Sequence, residues 1–171
     1  MTEEDERFAA IYHRNYSCVV RYASRRIDPD VAGDVAARTF ADAYRRLAQA
    51  PGDESAERVW LLGIARGHVS NERRGRRRRR ALDERVMAWR APAGVPPVDG
   101  EVITRLAFHQ ALGRLPGNDR EALRLFYWEG LSVEEAAGVA GCRAGTMATR
   151  LSRARTRLRE QLRASGFGEG G

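Results

Sequence analysis

The chain has 171 residues, a formal net charge of +7 and a pI near 10.3, and all 30 of its basic residues are arginines. This length suits one domain or two small ones, and the positive charge favours a polyanionic partner such as a nucleic acid. Cys18 and Cys142 lie far apart without metal-ligand spacing, and the sequence shows no signal peptide or long apolar run, so we expect a cytosolic protein with reduced thiols.

The N-terminal half is predicted to form three helices. Apolar residues repeat at helical spacing over residues 5–26 and again over residues 31–47, with the turn Asp28-Pro29-Asp30 between them. A polar loop at residues 51–55 precedes a third helix that should begin near Glu57. Three helices with apolar faces and short connections predict one helical bundle.

The third helix becomes strongly basic at its end. Seven of the eight positions from Arg73 to Arg80 are arginine, interrupted only by Gly75. Like charges at this density repel one another unless an anion lies alongside, and a nucleic-acid backbone would supply one. A disordered tail that binds polyanions loosely is the alternative. Trp60, near the start of this helix, could be a core anchor or a support for unstacked bases.

A change of composition divides the chain at residues 91–100. This segment holds three prolines and two glycines in ten residues, which indicates an interdomain linker. After it, a helix is expected over residues 102–115, and Asn118 with Glu121 could cap a helix that runs through Glu129. Phe126 and Tyr127 are expected to pack inward.

Residues 131–162 have the pattern of a helix-turn-helix. Ser132 and Glu135 have capping-box spacing, and Gly141 suits the left-handed position that ends a helix. A longer helix should follow from about Ala144, with one apolar stripe that includes Met147 and Leu151. Basic and hydroxyl residues lie off that stripe: Arg143, Thr146, Thr149, Arg150, Arg153 and Arg157. A DNA-recognition helix in the major groove would explain them, and an ordinary helical hairpin with a solvated arginine face is the alternative.

The sequence therefore predicts an all-α protein of two small helical bundles joined by a flexible linker, the second with a helix-turn-helix. His13, His68 and His109 lie in different predicted helices without an HExxH spacing, and no glycine-rich phosphate loop occurs. We therefore expect no enzymatic activity, no metal and no cofactor. A helix-turn-helix regulator that binds an operator without polymerase is one competing class. A recombinase, which would need a catalytic domain with strands, is another.

Two basic modules on a tether resemble the extracytoplasmic-function (ECF) sigma factors of the sigma-70 superfamily, in their actinobacterial type. WLLGIARGHVSNERRG, residues 60–75, is similar to the family's tryptophan-leucine and isoleucine-alanine-arginine helix, and residues 115–162 are similar to the fourth sigma region. The resemblance covers residues 8–162. It implies sigma region 2 in residues 1–90, a linker at 91–100 and sigma region 4 in residues 101–171.

The resemblance implies an alternative sigma factor that directs promoter-specific initiation without a catalytic residue. The helix-turn-helix would recognise the −35 element as duplex DNA, through Arg143, Thr146, Thr149, Arg150, Arg153 and Arg157. The first module would capture the −10 element as its strands separate, with the loop Pro51–Glu57 holding an extruded base. The residues expected to hold that strand are Trp60, Asn71, Arg73, Arg74 and Arg76.

The partners implied by the resemblance are RNA polymerase core and promoter DNA. The second helix would bind the clamp helices of the largest polymerase subunit through Asp34, Phe40, Tyr44 and Arg45, and the polymerase flap is a further expected contact. No membrane is expected. An anti-sigma factor is a further candidate partner, and the sequence identifies neither it nor the promoter.

Several positions depart from the family pattern. Ala37-Arg38 stands where a Gln-Glu pair is common, and Gly67 and Asn71 stand where Asn and Asp are common. Arg143-Ala144 replaces Ser-Pro at the start of the recognition helix. This change loses an N-cap worth about 1 kcal/mol and places a cation at the positive end of the helix dipole. Because a nearby phosphate would relieve both effects, we expect Arg143 to contact the DNA backbone.

Overall fold

A computed structural model describes residues 2–86 and 100–166, with side chains over residues 2–80 and 107–166. Within these ranges every regular element is helical and no strand occurs. The chain separates into an N-terminal and a C-terminal compact unit, so the predicted all-α, two-bundle fold is confirmed. The predicted linker lies outside the described residues, except that Gly100 already begins a helix.

The N-terminal unit contains helices α1 (Glu3–Ser24), α2 (Pro29–Arg45) and α3 (Glu54–Val86), with a 3₁₀ turn at Leu47–Gln49. Thr2 and Asp5 form a capping box at the start of α1, and the Asp28 side chain accepts a hydrogen bond from the backbone N–H of Asp30 at the start of α2. The apolar faces of the three helices meet in a core. Its members include Val19, Tyr22, Val35, Ala36, Ala43, Leu61, Leu62 and Ala65.

Helix α3 is longer than the sequence predicts. It begins at Glu54 rather than near Glu57, because Asp53 accepts a hydrogen bond from the N–H of Ala56 at 2.9 Å and acts as an N-cap. It then continues through the whole arginine run to Val86. At about 1.5 Å per residue it extends roughly 50 Å. A disordered arginine tail is therefore the wrong description of Arg73–Arg80.

The C-terminal unit contains α4 (Gly100–Arg114), α5 (Gly117–Leu123), a π-helical turn (Arg124–Trp128), α6 (Val133–Ala140) and α7 (Ala144–Ala164). Its core lies between α4, α5 and α7. Members of that core include Leu112, Leu115, Leu123, Leu125, Met147, Leu151 and Ala154.

Two local predictions in this unit are wrong. Pro116 rather than Asn118 occupies the N-cap of α5, and no side chain caps the helix. The predicted helix through Glu129 widens into the π turn after Leu123. Because a π turn holds more residues than an α turn, the side chains that follow are displaced around the axis. Tyr127, which was expected to pack inward, is 58% exposed.

Candidate nucleic-acid interface

The helix-turn-helix is built by α6 and α7. The Ser132 hydroxyl accepts a hydrogen bond from the N–H of Glu135 at 3.1 Å, and a Glu135 carboxylate oxygen accepts one from the N–H of Ser132 at 2.8 Å. This capping box starts α6 as predicted. Gly141, at φ +65°, adopts the left-handed conformation that ends α6. Both local signals in the sequence are confirmed.

Arg143 occupies the N-cap of α7 and makes no side-chain capping bond there. The first turn of α7 therefore lacks a side-chain acceptor for its N–H groups, and the residue beside it, Arg143, is an exposed cation. Unsatisfied N–H groups, the positive end of the helix dipole and a guanidinium all attract an anion. This end of α7 has the chemistry of a phosphate site.

The exposed face of α7 carries most of the predicted −35 residues. Thr146 and Thr149 are exposed, Arg150 is half-buried, and Met147 and Leu151 on the opposite face are buried. The Thr149 hydroxyl donates to the carbonyl of Gly145 at 2.9 Å, so this hydroxyl is already bonded within α7. Thr146, Thr149 and Arg150 therefore lie away from the buried stripe of α7.

Arg153 and Arg157, also predicted to bind DNA, share an intramolecular partner. Both guanidinium groups reach the carboxylate of Asp119 on α5, Arg153 at 3.5 Å and Arg157 through a shorter hydrogen bond. Asp119 is 1% exposed, whereas the two arginine side chains are 54% and 45% exposed. The carboxylate thus fixes α7 against α5. Asp119 is not identifiable from the sequence as part of this site, since nothing local distinguishes it.

A second basic surface lies on the C-terminal half of α3. Arg73 donates two hydrogen bonds, from Nε at 3.1 Å and from Nη2 at 3.0 Å, to the carbonyl of Arg26 after the end of α1. Arg76 forms an ion pair with Asp28 at 2.8 Å, and this partner lowers the pKa of the Asp28 carboxyl. Arg73 and Arg76, which are predicted to bind DNA, therefore also connect α3 to the corner that joins α1 to α2.

Asn71 and Arg74, unlike Arg73 and Arg76, do not bond to the α1–α2 corner. Both are exposed, and the Arg74 guanidinium donates to the Asn71 side-chain oxygen one turn earlier on the same helix. Trp60 is half-buried near the start of α3. The loop that was expected to hold an extruded base is shorter than predicted, because α3 already includes Glu54 and Glu57.

Glu57 has a structural role in the N-terminal unit. Its carboxylate is 4% exposed and accepts hydrogen bonds from Arg14 Nη2 at 2.9 Å and from Asn15 Nδ2 at 2.6 Å. Arg14 also reaches the exposed Glu54 at 3.1 Å. This network ties α1 to the first turn of α3, so Glu57 cannot also hold a base without breaking it.

The residues predicted to bind polymerase lie on α2. Asp34, Tyr44 and Arg45 are exposed, whereas Phe40 is only 3% exposed. Phe40 forms the floor of an open groove between α1 and α2. Aromatic and small side chains line this aromatic groove: Phe8, Tyr12, Tyr16, Ala37, Ala41 and Tyr44.

Polar contacts hold two residues that line the aromatic groove, Tyr44 and Arg45. The Tyr44 hydroxyl donates to the Asp5 carboxylate at 3.2 Å, which raises the pKa of Tyr44. Asp42 accepts a hydrogen bond from His68 Nε2 at 2.7 Å and pairs with Arg45, and the His68 contact chiefly lowers the pKa of the Asp42 carboxyl. Tyr44, 48% exposed, is therefore an aromatic surface residue held in a fixed position.

A second groove lies on the C-terminal unit. Apolar side chains of α4, the π turn and α7 form it, and arginines of α7 edge it: Phe108, Leu123, Tyr127, Trp128, Leu158, Leu162, Arg155, Arg159 and Arg163. Arg155 donates from Nε to the Tyr127 hydroxyl at 2.9 Å. The basic rim suits an acidic, amphipathic segment.

The described residues show no group of His, Cys, Asp and Glu that could hold a metal ion. Cys18 and Cys142 are free thiols, with Cys18 buried. No helix in the described part of the chain is long and apolar enough to cross a membrane.

Comparison with known proteins agrees with this architecture. Residues 105–158 match the family described as "Sigma-70, region 4". The chain is 32% identical over 161 residues to the RNA polymerase sigma-H factor of Pseudomonas aeruginosa, covering 88% of this chain and 81% of that one. It is 32% identical over 148 residues to the ECF RNA polymerase sigma factor SigC of Mycobacterium tuberculosis, covering 82% and 75%.

Two solved structures resemble the chain. The sigma factor RpoE, in complex with the anti-sigma factor NepR from Bartonella quintana, gives a TM-score of 0.68 at 27% identity, covering 92% of this chain and 98% of that one. CnrH, in complex with the cytosolic domain of CnrY, gives 0.64 at 23% identity and covers 94% and 90%, so it supports the fold alone.

The region 4 match, residues 105–158, includes the helix-turn-helix. The match to the sigma-H factor covers 88% of this chain, so it also includes the arginine-rich helix α3. The family is not an enzyme family. The chain belongs to the ECF RNA polymerase sigma factors, and it is an alternative sigma factor that directs transcription.

Proposed function

We propose that this sigma factor recognises the −35 element as duplex DNA through α7 and captures the −10 element as a melted strand through α3. The observation that carries the proposal is the presence of two exposed cationic helix faces, one on each compact unit. Contacts made only to an open strand would offset the few kcal/mol, roughly, that unstacking a base requires. Promoter opening then follows from differential binding and needs no catalytic residue.

On α7 we assign different roles to the predicted residues. Thr146, Thr149 and Arg150 lie on the exposed side of the buried stripe and would contact base edges. Arg143, at the uncapped N-terminus, would contact a phosphate. Arg153 and Arg157, already oriented by Asp119, would face the DNA backbone.

On α3 the five predicted residues also divide. Asn71 and Arg74 are exposed and would contact the melted strand directly, while Trp60 would support an unstacked base. Arg73 and Arg76 would orient the helix through their bonds to the α1–α2 corner. Residues 51–53 are the part of the predicted base-holding loop that precedes α3.

The aromatic groove is the proposed site for the polymerase clamp helices. It combines exposed Tyr44 with the charged residue Arg45. Asp34 is exposed on α2 three residues before Ala37, which also lines the groove. Exposed apolar patches rimmed by polar residues mark protein interaction sites. Phe40, which is buried, would contribute by forming the floor of the groove and so determining its shape.

The arginine-edged groove of the C-terminal unit is the proposed site for the polymerase flap. Its apolar floor and three arginines suit a segment with apolar and acidic faces.

An anti-sigma factor is a proposed regulatory partner, because the similar RpoE is in complex with NepR. We place the protein in the bacterial cytoplasm, where polymerase acts. Its arginine-only basic composition and its likeness to SigC favour an actinobacterial branch.

Run-off transcription from a genomic fragment library, with core polymerase and the full chain, tests the proposal. We expect specific transcripts that need both components, with permanganate-reactive thymines near the start site. Arg74→Ala should keep polymerase binding but reduce that reactivity, and Arg150→Ala should weaken promoter binding by roughly 5- to 150-fold, as one lost base contact would. A palindromic footprint by the protein alone, without any specific transcript, would instead show an operator-binding regulator.

A further inference from the structure

The arginine run of α3 is chemically uniform in sequence but not in structure. Three of its members are occupied by a carboxylate or a backbone carbonyl of the protein itself, whereas Arg74 bonds to the neutral, exposed side chain of Asn71. Arg73 binds the Arg26 carbonyl and Arg76 binds Asp28, as described above. Arg79 forms an ion pair with Glu72 at 2.9 Å, and the Glu72 side chain is only 13% exposed.

Arg79 is turned back along the helix to reach Glu72. Its guanidinium carbon lies 3.9 Å from the point where a Cβ on Gly75 would be. An anion that captured Arg79 would leave the largely buried Glu72 carboxylate without this partner, which opposes the exchange. Arg79 and Glu72 together also carry no net charge, so their attraction for a phosphate is weak.

Arg77 and Arg78 are in a different state. Both are exposed, and the structure gives neither one a hydrogen bond or an ion pair with any side chain that it describes. Successive residues of an α-helix are about 100° apart, so Arg77 and Arg78 lie within roughly 60° of Arg74 around the axis. The occupied arginines lie about 100° or more from Arg74 by the same geometry.

This arc continues the proposed strand-binding face. Asn71, Arg74 and Arg78 follow one another at spacings of three and four residues, which places them on one stripe of the helix. Arg78 lies about 6 Å along the axis beyond Arg74. This distance is close to the roughly 6.8 Å between phosphates two steps apart on one DNA strand, at about 3.4 Å per step.

We propose that Arg77 and Arg78 bind the phosphodiester backbone of DNA beyond the strand contacts of Asn71 and Arg74, while Arg73, Arg76 and Arg79 are held by the protein itself. The inference rests on the proposed −10 role of α3. It assigns these five arginines to two groups, one that contacts DNA and one that positions the helix.

Adjacent residues provide the matched comparison. Arg78→Gln and Arg79→Gln remove the same charge from neighbouring positions of the same helix, so net charge alone cannot distinguish the two variants. Binding of the full chain to a fluorescein-labelled 30-base mixed-sequence DNA, as single strand and as duplex, would be measured by anisotropy between 50 and 300 mM NaCl. Backbone binding is independent of sequence, so no promoter is needed.

We expect Arg78→Gln to reduce the slope of log affinity against log salt by about 0.7 for a single strand or 0.9 for a duplex. The double variant Arg77→Gln/Arg78→Gln should lose about twice as much, and Arg79→Gln should keep the wild-type slope. A loss on the single strand would place the phosphates in the melted region, and a loss on the duplex would place them in the flanking double helix; either result supports the proposal.

Equal losses in Arg78→Gln and Arg79→Gln, or no loss in the double variant, would overturn it. Helical circular dichroism and the thermal midpoint of each variant would show that the fold is kept. Failure here is separable from failure of the proposed function. Wild-type protein that supports run-off transcription, together with equal slopes, would reject the division of the arginines alone.

Discussion

Asp119 holds Arg157 across the C-terminal unit, joining α5 to the recognition helix, and the same carboxylate also reaches Arg153 at 3.5 Å. In the proposed complex with DNA, this nearly buried anion would compete with phosphates for two arginines of α7. The bond fixes the orientation of the recognition helix, and it also restrains two cations that would otherwise be free to bind any duplex.

Asp119→Asn should therefore have two opposite effects. We expect stability to fall by about 1–3 kcal/mol, because charge-assisted hydrogen bonds are lost. Affinity for non-promoter duplex should rise and become more salt-dependent, because the released arginines gain phosphate contacts. Glu160→Gln is the control, since it removes the same charge from an exposed position on α7. Urea denaturation and salt titrations would measure both effects, and an unchanged salt slope would contradict the second.

The two carboxylates that bind Arg14 should differ in their contribution to stability. Glu57 is 4% exposed and is held by both Arg14 and Asn15, so Glu57→Ala should cost about 3 kcal/mol or more in unfolding free energy. The Glu54 side chain is 74% exposed, so Glu54→Ala should cost about 1 kcal/mol or less. Thermal unfolding of both variants checks this order, and equal losses would count against it.

Arg143→Ser should make the protein more stable and a poorer DNA binder. A serine at the N-cap of α7 would accept a first-turn N–H bond, worth about 1 kcal/mol, and would remove a cation from the positive end of the helix dipole. Promoter affinity should fall, because the phosphate contact proposed for Arg143 is lost. Arg143→Ala separates the two effects, since it removes the cation without supplying a cap. A promoter affinity that did not change would refute the phosphate role.

The Asp28–Arg76 ion pair should make the free energy of unfolding depend on pH in the acidic range. Arg76 lowers the pKa of this carboxyl below its ordinary value of 3.8, so the folded state binds that proton less readily than the unfolded state does. Its contribution to stability is complete above about pH 4–5 and is lost as pH falls through the lowered pKa. Asp28→Asn should therefore make stability less dependent on pH between about 5 and 2. Denaturant midpoints over that interval test this, and an identical pH profile would contradict it.

Local signals in the sequence predicted much of the fold. The capping box at Ser132 and Glu135 and the left-handed Gly141 depend on residues within one turn, so the pattern alone locates them. The π turn after Leu123 escaped prediction because its residues have ordinary helical character. The exposure of Tyr127 was not predicted, because it depends on this π turn.

The roles of single arginines could not be predicted in the same way. Arg73 bonds to a carbonyl 47 positions earlier in the chain, and Arg157 bonds to a carboxylate 38 positions earlier. Periodicity identifies which face of a helix is buried, but it does not identify which distant group a long side chain reaches. The sequence therefore predicted the two basic surfaces, and the structure was needed to distinguish the arginines within them.

The bonds from Arg73 and Arg76 to the α1–α2 corner also bear on how fast the protein can meet DNA. Ordering a mobile peptide costs about 1–2 kcal/mol per residue, and a loose arginine tail would incur that cost at each encounter. Here the arginines already belong to a folded helix before any contact with DNA. Capture should thus be governed by diffusion and long-range attraction, over a Debye length of about 10 Å at 0.1 M salt, with no folding step after contact.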